Sequence, residues 1–105
     1  MLIRIVRMSF QAEAVAAFQT IFQNSEEAIR SMPGCLYLEL WQDADAPHIF
    51  CTHSHWESAA ALDAYRKSEL FGQVWPATKR LFSAPPMAFS VRHVRGDSAA
   101  APTSS

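Results

Sequence analysis

Glycine and cysteine are both scarce in this chain, and their scarcity excludes several kinds of site. The three glycines among 105 residues do not form a glycine-rich phosphate loop, so a nucleotide cofactor is not predicted. Cys35 and Cys51, the two cysteines, lack Cys-x-x-Cys spacing. Both lie in apolar stretches, which favours reduced, buried thiols in a cytoplasmic protein. A disulfide between neighbouring strands is the weaker alternative.

An excess of one charge and a long apolar run are also missing. The formal net charge is −1, and no basic patch of the kind that binds nucleic acid or an anionic membrane is visible. No apolar run approaches the roughly 20 residues of a membrane span. Residues 1–7 carry arginines within their apolar stretch, which predicts a strand and not a signal peptide. We therefore expect a cytoplasmic protein without nucleic-acid or membrane partners.

The sequence does contain enough hydrophobic residues to form one core. Half of the residues are hydrophobic, which suits a single domain. We predict this domain over residues 1–95, followed by a flexible Ala/Ser-rich tail over 96–105. Alternation predicts strands over 1–10, 35–42, 48–56 and 87–94. Helical periodicity predicts one helix over 11–31 and a helical region in two pieces that begins after Ser58.

This order is β-α-β-β-α-β, which predicts an α+β, ferredoxin-like domain: a four-stranded antiparallel sheet with helices on one face. The second strand is expected to place Leu36, Leu38 and Leu40 on one face and Cys35, Tyr37, Glu39 and Trp41 on the other. The face without helices should be polar in a monomer. Since it carries Tyr37 and Trp41, we predict a homodimer that forms through the open sheet face.

Two short motifs add a resemblance to a known family. Trp56-Glu57-Ser58 ends the third predicted strand, and Pro33-Gly34-Cys35 precedes the second. Further positions of the same pattern are Leu62, Tyr65, Ser68 and Phe71. Over residues 1 to about 94 the chain resembles the antibiotic biosynthesis monooxygenase superfamily of dimeric α/β-barrel proteins. The motifs are more specific for the fold than for the chemistry.

The resemblance implies a choice among several activities. Members include cofactor-free oxygenases of phenols, anthrones and quinols, haem-degrading enzymes, and an isomerase branch. Haem-degrading members have tryptophan and histidine at the positions of Tyr65 and Trp75, and an asparagine on the first strand, so that activity is not expected here. Quinol-oxidising members often have histidines at the positions of Tyr65 and Leu70. Both histidines are absent here, which favours the alternative of a ligand-binding domain without catalysis. The other features of the resemblance are those of the oxygenases. The resemblance therefore implies a cofactor-independent monooxygenase of a small, hydrophobic, quinol- or anthrone-like substrate.

Candidate catalytic residues follow from what that chemistry needs. Tyr65 can donate to a substrate oxygen, although a core tyrosine is the plainer interpretation. His53 and His55 share one strand face and can supply a base. A metal would need His93 or Glu57 to converge with them, so no metal site is predicted.

The substrate-binding residues are expected to come from both helical regions and the strand ends. Arg92, like Arg4, can neutralise an anionic substrate, although arginines near strand ends commonly point to water. The expected walls of the pocket are Trp75, Trp56, Phe18, Phe22 and Phe71.

These residues predict a pocket of a few hundred Å³ between the sheet and the helices, beside Tyr65. We expect Trp75, and His53 or His55, to lie near it. Two alternatives remain: a ligand-binding domain of the same fold without catalysis, and an isomerase of the same superfamily, which needs a base but no oxygen.

Overall fold

The computed structural model describes residues 1–96, so the tail predicted over 96–105 lies outside the described residues except for Gly96. A short 3₁₀ turn, Ala12–Ala14, precedes the first helix. The elements are β1 (Leu2–Ser9), α1 (Val15–Arg30), β2 (Cys35–Gln42), β3 (Ile49–Trp56), α2 (Ala59–Arg66), α3 (Glu69–Lys79) and β4 (Met87–Val91). The strands form one antiparallel sheet in the order β2-β3-β1-β4. The predicted ferredoxin-like fold is confirmed.

Two serines divide the second helical region, as their capping chemistry predicts. The Ser58 hydroxyl accepts a hydrogen bond of 3.1 Å from the backbone N–H of Ala61 at the start of α2. The Ser68 hydroxyl accepts one of 3.2 Å from the N–H of Phe71 at the start of α3. Each cap pairs an N–H group that the first helical turn leaves free. The two caps fix where Tyr65 and Phe71 enter the interior.

The core between the sheet and the helices consists of two separate clusters. The larger is built on Met8, Phe10, Phe18 and Phe50, and the ring of Phe10 stacks on Phe18 with centroids 4.1 Å apart. The smaller is built on Leu2, Trp56 and Leu62. The clusters lie at opposite ends of the sheet, since Leu2 and Met8 are near opposite ends of β1.

A β-bulge at the start of β2 corrects the predicted faces of that strand. Cys35 pairs with Trp56 and Tyr37 with His55, so Leu36 is an extra residue. Leu36 was expected to join Leu38 and Leu40 in the interior, but it is 55% exposed. Cys35 was expected on the Tyr37 face, but it packs instead against the cluster that contains Trp56. The bulge inverts the alternation for the residues that precede it.

Two glycines provide a matched stability test. Gly34 has φ +83°, and a Cβ there would lie 2.5 Å from the Ala61 Cβ. Gly72 lies inside α3 with open space around it. We expect Gly34→Ala to lower the free energy of unfolding by roughly 2–4 kcal/mol, and Gly72→Ala to raise it by about 0.5–1 kcal/mol. Urea unfolding of both variants checks this, and shifts of the same sign would contradict it.

Candidate functional site

A cavity of about 230 Å³ lies between the sheet and the helices. Its walls come from all four strands on one side, chiefly β1 and β3, and from all three α-helices on the other. The aromatic side chains that line it are Phe18, Phe22, Trp56, Tyr65, Phe71 and Trp75. The structure thus brings together the predicted tyrosine and all five predicted wall residues. The volume is close to the lower end of typical small-molecule sites, roughly 300 Å³.

The aromatic walls hold one another in place. Tyr65 stacks on Trp56 with centroids 5.0 Å apart and planes 21° apart, and it meets the edge of Phe71 at 5.2 Å. Phe71 in turn stacks on Trp75 at 5.7 Å. The buried indole N–H of Trp56 donates to the Ser54 hydroxyl at 3.0 Å, so it is paired without a ligand. These contacts give the cavity flat faces in fixed positions, which suits a planar ring system.

Tyr65 is the only tyrosine among the described residues that line the cavity. Burial, and secondarily the charge of the Cys35 thiolate, raise the pKa of Tyr65 to about 12. Its hydroxyl therefore stays protonated across the neutral range. Within residues 1–96 it makes no side-chain hydrogen bond, so it is available as a donor to a ligand oxygen. It cannot serve as a base at neutral pH.

His53 and His55 lie on the opposite face of the sheet, away from the cavity. Side chains alternate along β3, and Trp56 lines the cavity, so both histidines point to the open face. Their Nε2 atoms are 3.0 Å apart. The ring of Tyr37 lies 4.9 Å from that of His55, and the ring of Trp41 lies 4.4 Å from that of His53. The prediction that His53 or His55 lies beside the cavity is therefore wrong.

Burial shapes the protonation of this histidine pair. It lowers the pKa of His53, against the attraction of the Glu39 carboxylate, whose Oε1 lies 3.9 Å from His53 Nδ1. Burial, and then the neighbouring charge of His53, lower the pKa of His55. A hydrogen bond between the two Nε2 atoms requires one of them to be unprotonated, because that nitrogen must accept the bond. The contact is therefore incompatible with a proton on both Nε2 atoms, and burial disfavours the charged form of each ring.

The histidine pair predicts acid sensitivity. A histidine whose folded pKa is lowered takes up its proton more readily in the unfolded chain, so the free energy of unfolding falls as pH drops below about 6.5. We expect His53→Gln and His55→Gln to flatten this fall between about pH 6.5 and 5. His48→Gln, at an exposed position before β3, serves as control. Urea unfolding at several pH values measures the slope, and equal slopes for all variants would contradict the assignment.

The arginines are arranged differently from the sequence-based expectation. Arg92 is exposed beyond β4 and is not among the residues lining the cavity. Arg4 does line it, and Arg66 from α2 lines it as well. Sequence reasoning missed Arg66, although it follows Tyr65 directly and lies four residues after Leu62, which places it close to their side of the helix.

Residues 1–96 lack the features of two other classes of site. No three histidine, cysteine, aspartate or glutamate side chains come together there in a way that could hold a metal ion. In the same range, no helix has the length and apolar character that crossing a membrane requires.

Comparison with known proteins identifies relatives by sequence pattern and by fold. The family model described as antibiotic biosynthesis monooxygenase matches residues 1–75. A search of curated proteins found no match.

Solved structures share the fold at low sequence identity. A crystal structure of an antibiotic biosynthesis monooxygenase superposes with a TM-score of 0.85 at 24% identity, covering 90% of this chain and 100% of the other. Rv0793 from Mycobacterium tuberculosis has a TM-score of 0.84 at 20% identity, with 92% and 98% covered. A conserved protein from Methanosarcina mazei Go1 has a TM-score of 0.82 at 20% identity, with 88% and 92% covered.

Proposed function

The chain belongs to the antibiotic biosynthesis monooxygenase family, and on that premise we propose that it oxidises a small aromatic substrate of quinol or anthrone type with dioxygen and without a cofactor. The observation that carries the proposal is the aromatic cavity of about 230 Å³ with Tyr65 in its wall. Stacked flat rings suit a planar substrate. A protonated phenol suits an oxygen on which negative charge develops.

The chemistry can be written for an anthrone. Loss of a ring C–H proton gives an enolate, which transfers one electron to dioxygen, and the two radicals then combine through a new C–O bond. The resulting peroxide takes up a proton and loses water, so one anthrone and one dioxygen give one quinone and one water. Tyr65 donates a hydrogen bond to the enolate oxygen, which stabilises the anion before electron transfer. The aromatic walls hold the rings and exclude bulk water.

The described residues that line the cavity include hydrogen-bond donors but no general base. The cavity lining among the described residues includes the hydrogen-bond donors Arg4, Tyr65 and Arg66 but no carboxylate and no histidine. The proton of the substrate therefore leaves to solvent, and substrates that ionise easily are favoured. The same observation supports a second candidate function, binding of an aromatic ligand without catalysis. It disfavours the isomerase alternative, which requires a base to move a proton.

Oxygen consumption separates these functions. With a panel of anthrones and quinols, the protein should accelerate oxygen uptake above the spontaneous rate and consume one dioxygen per quinone formed. Treatment with a chelator should not change the rate. Tight binding without accelerated uptake would assign the binding function in place of the oxygenase, and product without uptake would assign an isomerase.

We also propose that two copies of the chain pack through their open sheet faces. The exposed hydrophobic side chains of that face include Trp41, 44% exposed, Met87, 60%, and Phe89, 43%. An apolar sheet face of this kind is typical of an interface.

A further inference from the structure

Two positively charged side chains lie at the mouth of the cavity. Arg4, from β1, and Arg66, from the last turn of α2, each line the cavity and also the shallow groove outside it. Arg4 is half-buried and its Nη1 donates to the Ser90 hydroxyl at 3.2 Å. Arg4 and Arg66 are therefore the charged residues that the aromatic cavity and the groove share.

Neither guanidinium is paired with a carboxylate among residues 1–96. Asp63, which lines the groove, is engaged elsewhere, since its Oδ2 lies 2.9 Å from the Lys67 Nζ. Burial, and then the positive charge of Arg66, lower the pKa of Arg4. Two like charges beside an apolar cavity are unfavourable by themselves. An anion bound between them would remove that cost.

We propose that Arg4 and Arg66 form an anion-binding subsite, and that the cavity takes an aromatic carboxylic acid whose rings lie among the aromatic walls and whose carboxylate lies at the mouth. A guanidinium presents N–H groups in a planar fork that matches a carboxylate. The flat walls and the paired donors thus recognise two parts of one molecule. This inference rests on the proposed function, because it specifies which aromatic compounds the cavity selects.

Two probes of equal shape and different charge test the inference. Isothermal titration with naphthoate and naphthamide compares a carboxylate with a neutral amide on the same ring system. The wild-type protein should bind naphthoate more tightly by about ten-fold or more, and the preference should weaken as salt is added. Arg66→Gln and Arg4→Gln should each reduce the preference several-fold. Arg80→Gln, at an exposed position after α3, should preserve it.

The outcomes distinguish failure of this inference from failure of the proposed function. Equal affinity for both probes in the wild-type protein would overturn the anion subsite and leave the aromatic cavity intact as a ligand site. Failure to bind naphthoate and naphthamide would overturn the anion subsite, whereas the proposed function is tested separately by anthrone-dependent oxygen uptake. A preference for naphthoate over naphthamide that persists in both Arg4→Gln and Arg66→Gln would also overturn the subsite. Arg66 is exposed, so its variant keeps the test valid if Arg4→Gln fails to fold.

Discussion

Replacing Tyr65 with phenylalanine is expected to lower the turnover of an anthrone by about 100-fold, the usual cost of losing one donor to a developing oxyanion. The ring stays in place because its contacts with Trp56 and Phe71 do not involve the hydroxyl. The free energy of unfolding should therefore change little. Steady-state oxygen uptake gives the turnover, and urea unfolding checks the fold.

The second tyrosine of the chain provides the control for this experiment. Tyr37 lies on the open sheet face beside His55, so Tyr37→Phe makes the same chemical change away from the cavity. We expect its turnover to stay within about two-fold of the wild-type value, since no donor to the substrate is lost. Unchanged turnover in Tyr65→Phe, or equal losses in both variants, would remove Tyr65 from the mechanism.

A charge on the open sheet face is expected to separate the two copies. Phe89 lies on the edge strand β4 and is 43% exposed in one copy. Phe89→Glu would bury an unpaired carboxylate in the proposed interface, so we expect dimer affinity to fall by at least about 100-fold. Analytical ultracentrifugation at micromolar concentration should show a dimer for the wild-type protein and a monomer for the variant.

The control for this second experiment adds the same charge to the other side of the domain. Gln23→Glu changes an exposed position on α1, in the helical layer that covers the other face of the sheet. It should remain dimeric. A monomeric wild-type protein, or a Phe89→Glu variant that stays dimeric, would contradict an interface through the open face.

The periodic parts of the sequence were sufficient to predict the fold. The helical stripe that includes Phe18, Phe22 and Ile29 does face the sheet, because a 3.6-residue repeat leaves one buried side. The serine caps at Ser58 and Ser68 divide the second helical region as their chemistry requires. Local rules succeed here because each feature depends on residues close in the chain.

The site was predicted only in part, and two of the three differences depend on residues that are distant in the chain. Since side chains alternate along a strand, Trp56 in the cavity wall already places His55 on the other face, and the sequence contained that information. The bulge at Leu36 could not be predicted from the sequence, because an extra residue in β2 is defined only by the pairing of β2 with β3. The positive charge at the cavity mouth could not be predicted from the sequence either. It depends on Arg4 of β1 and Arg66 of α2 lining the same cavity, while Asp63 on the same helix as Arg66 is paired with a lysine.

The cavity between the sheet and the helices is the proposed site of reaction, and filling it is the most direct test of that role. Val74, from α3, is half-buried and lines the cavity, so Val74→Trp places an indole in the space that the substrate needs. Val94→Trp makes the same change at a position that is 90% exposed. Overpacking costs about 1–3 kcal/mol, and urea unfolding shows whether Val74→Trp remains folded.

The measurement is the rate of anthrone-dependent oxygen uptake by the wild-type protein and these two folded variants. We expect Val74→Trp to lose the acceleration over the spontaneous rate and Val94→Trp to keep it. Uptake by Val74→Trp at the wild-type rate would contradict the account, since the reaction would then take place outside this cavity.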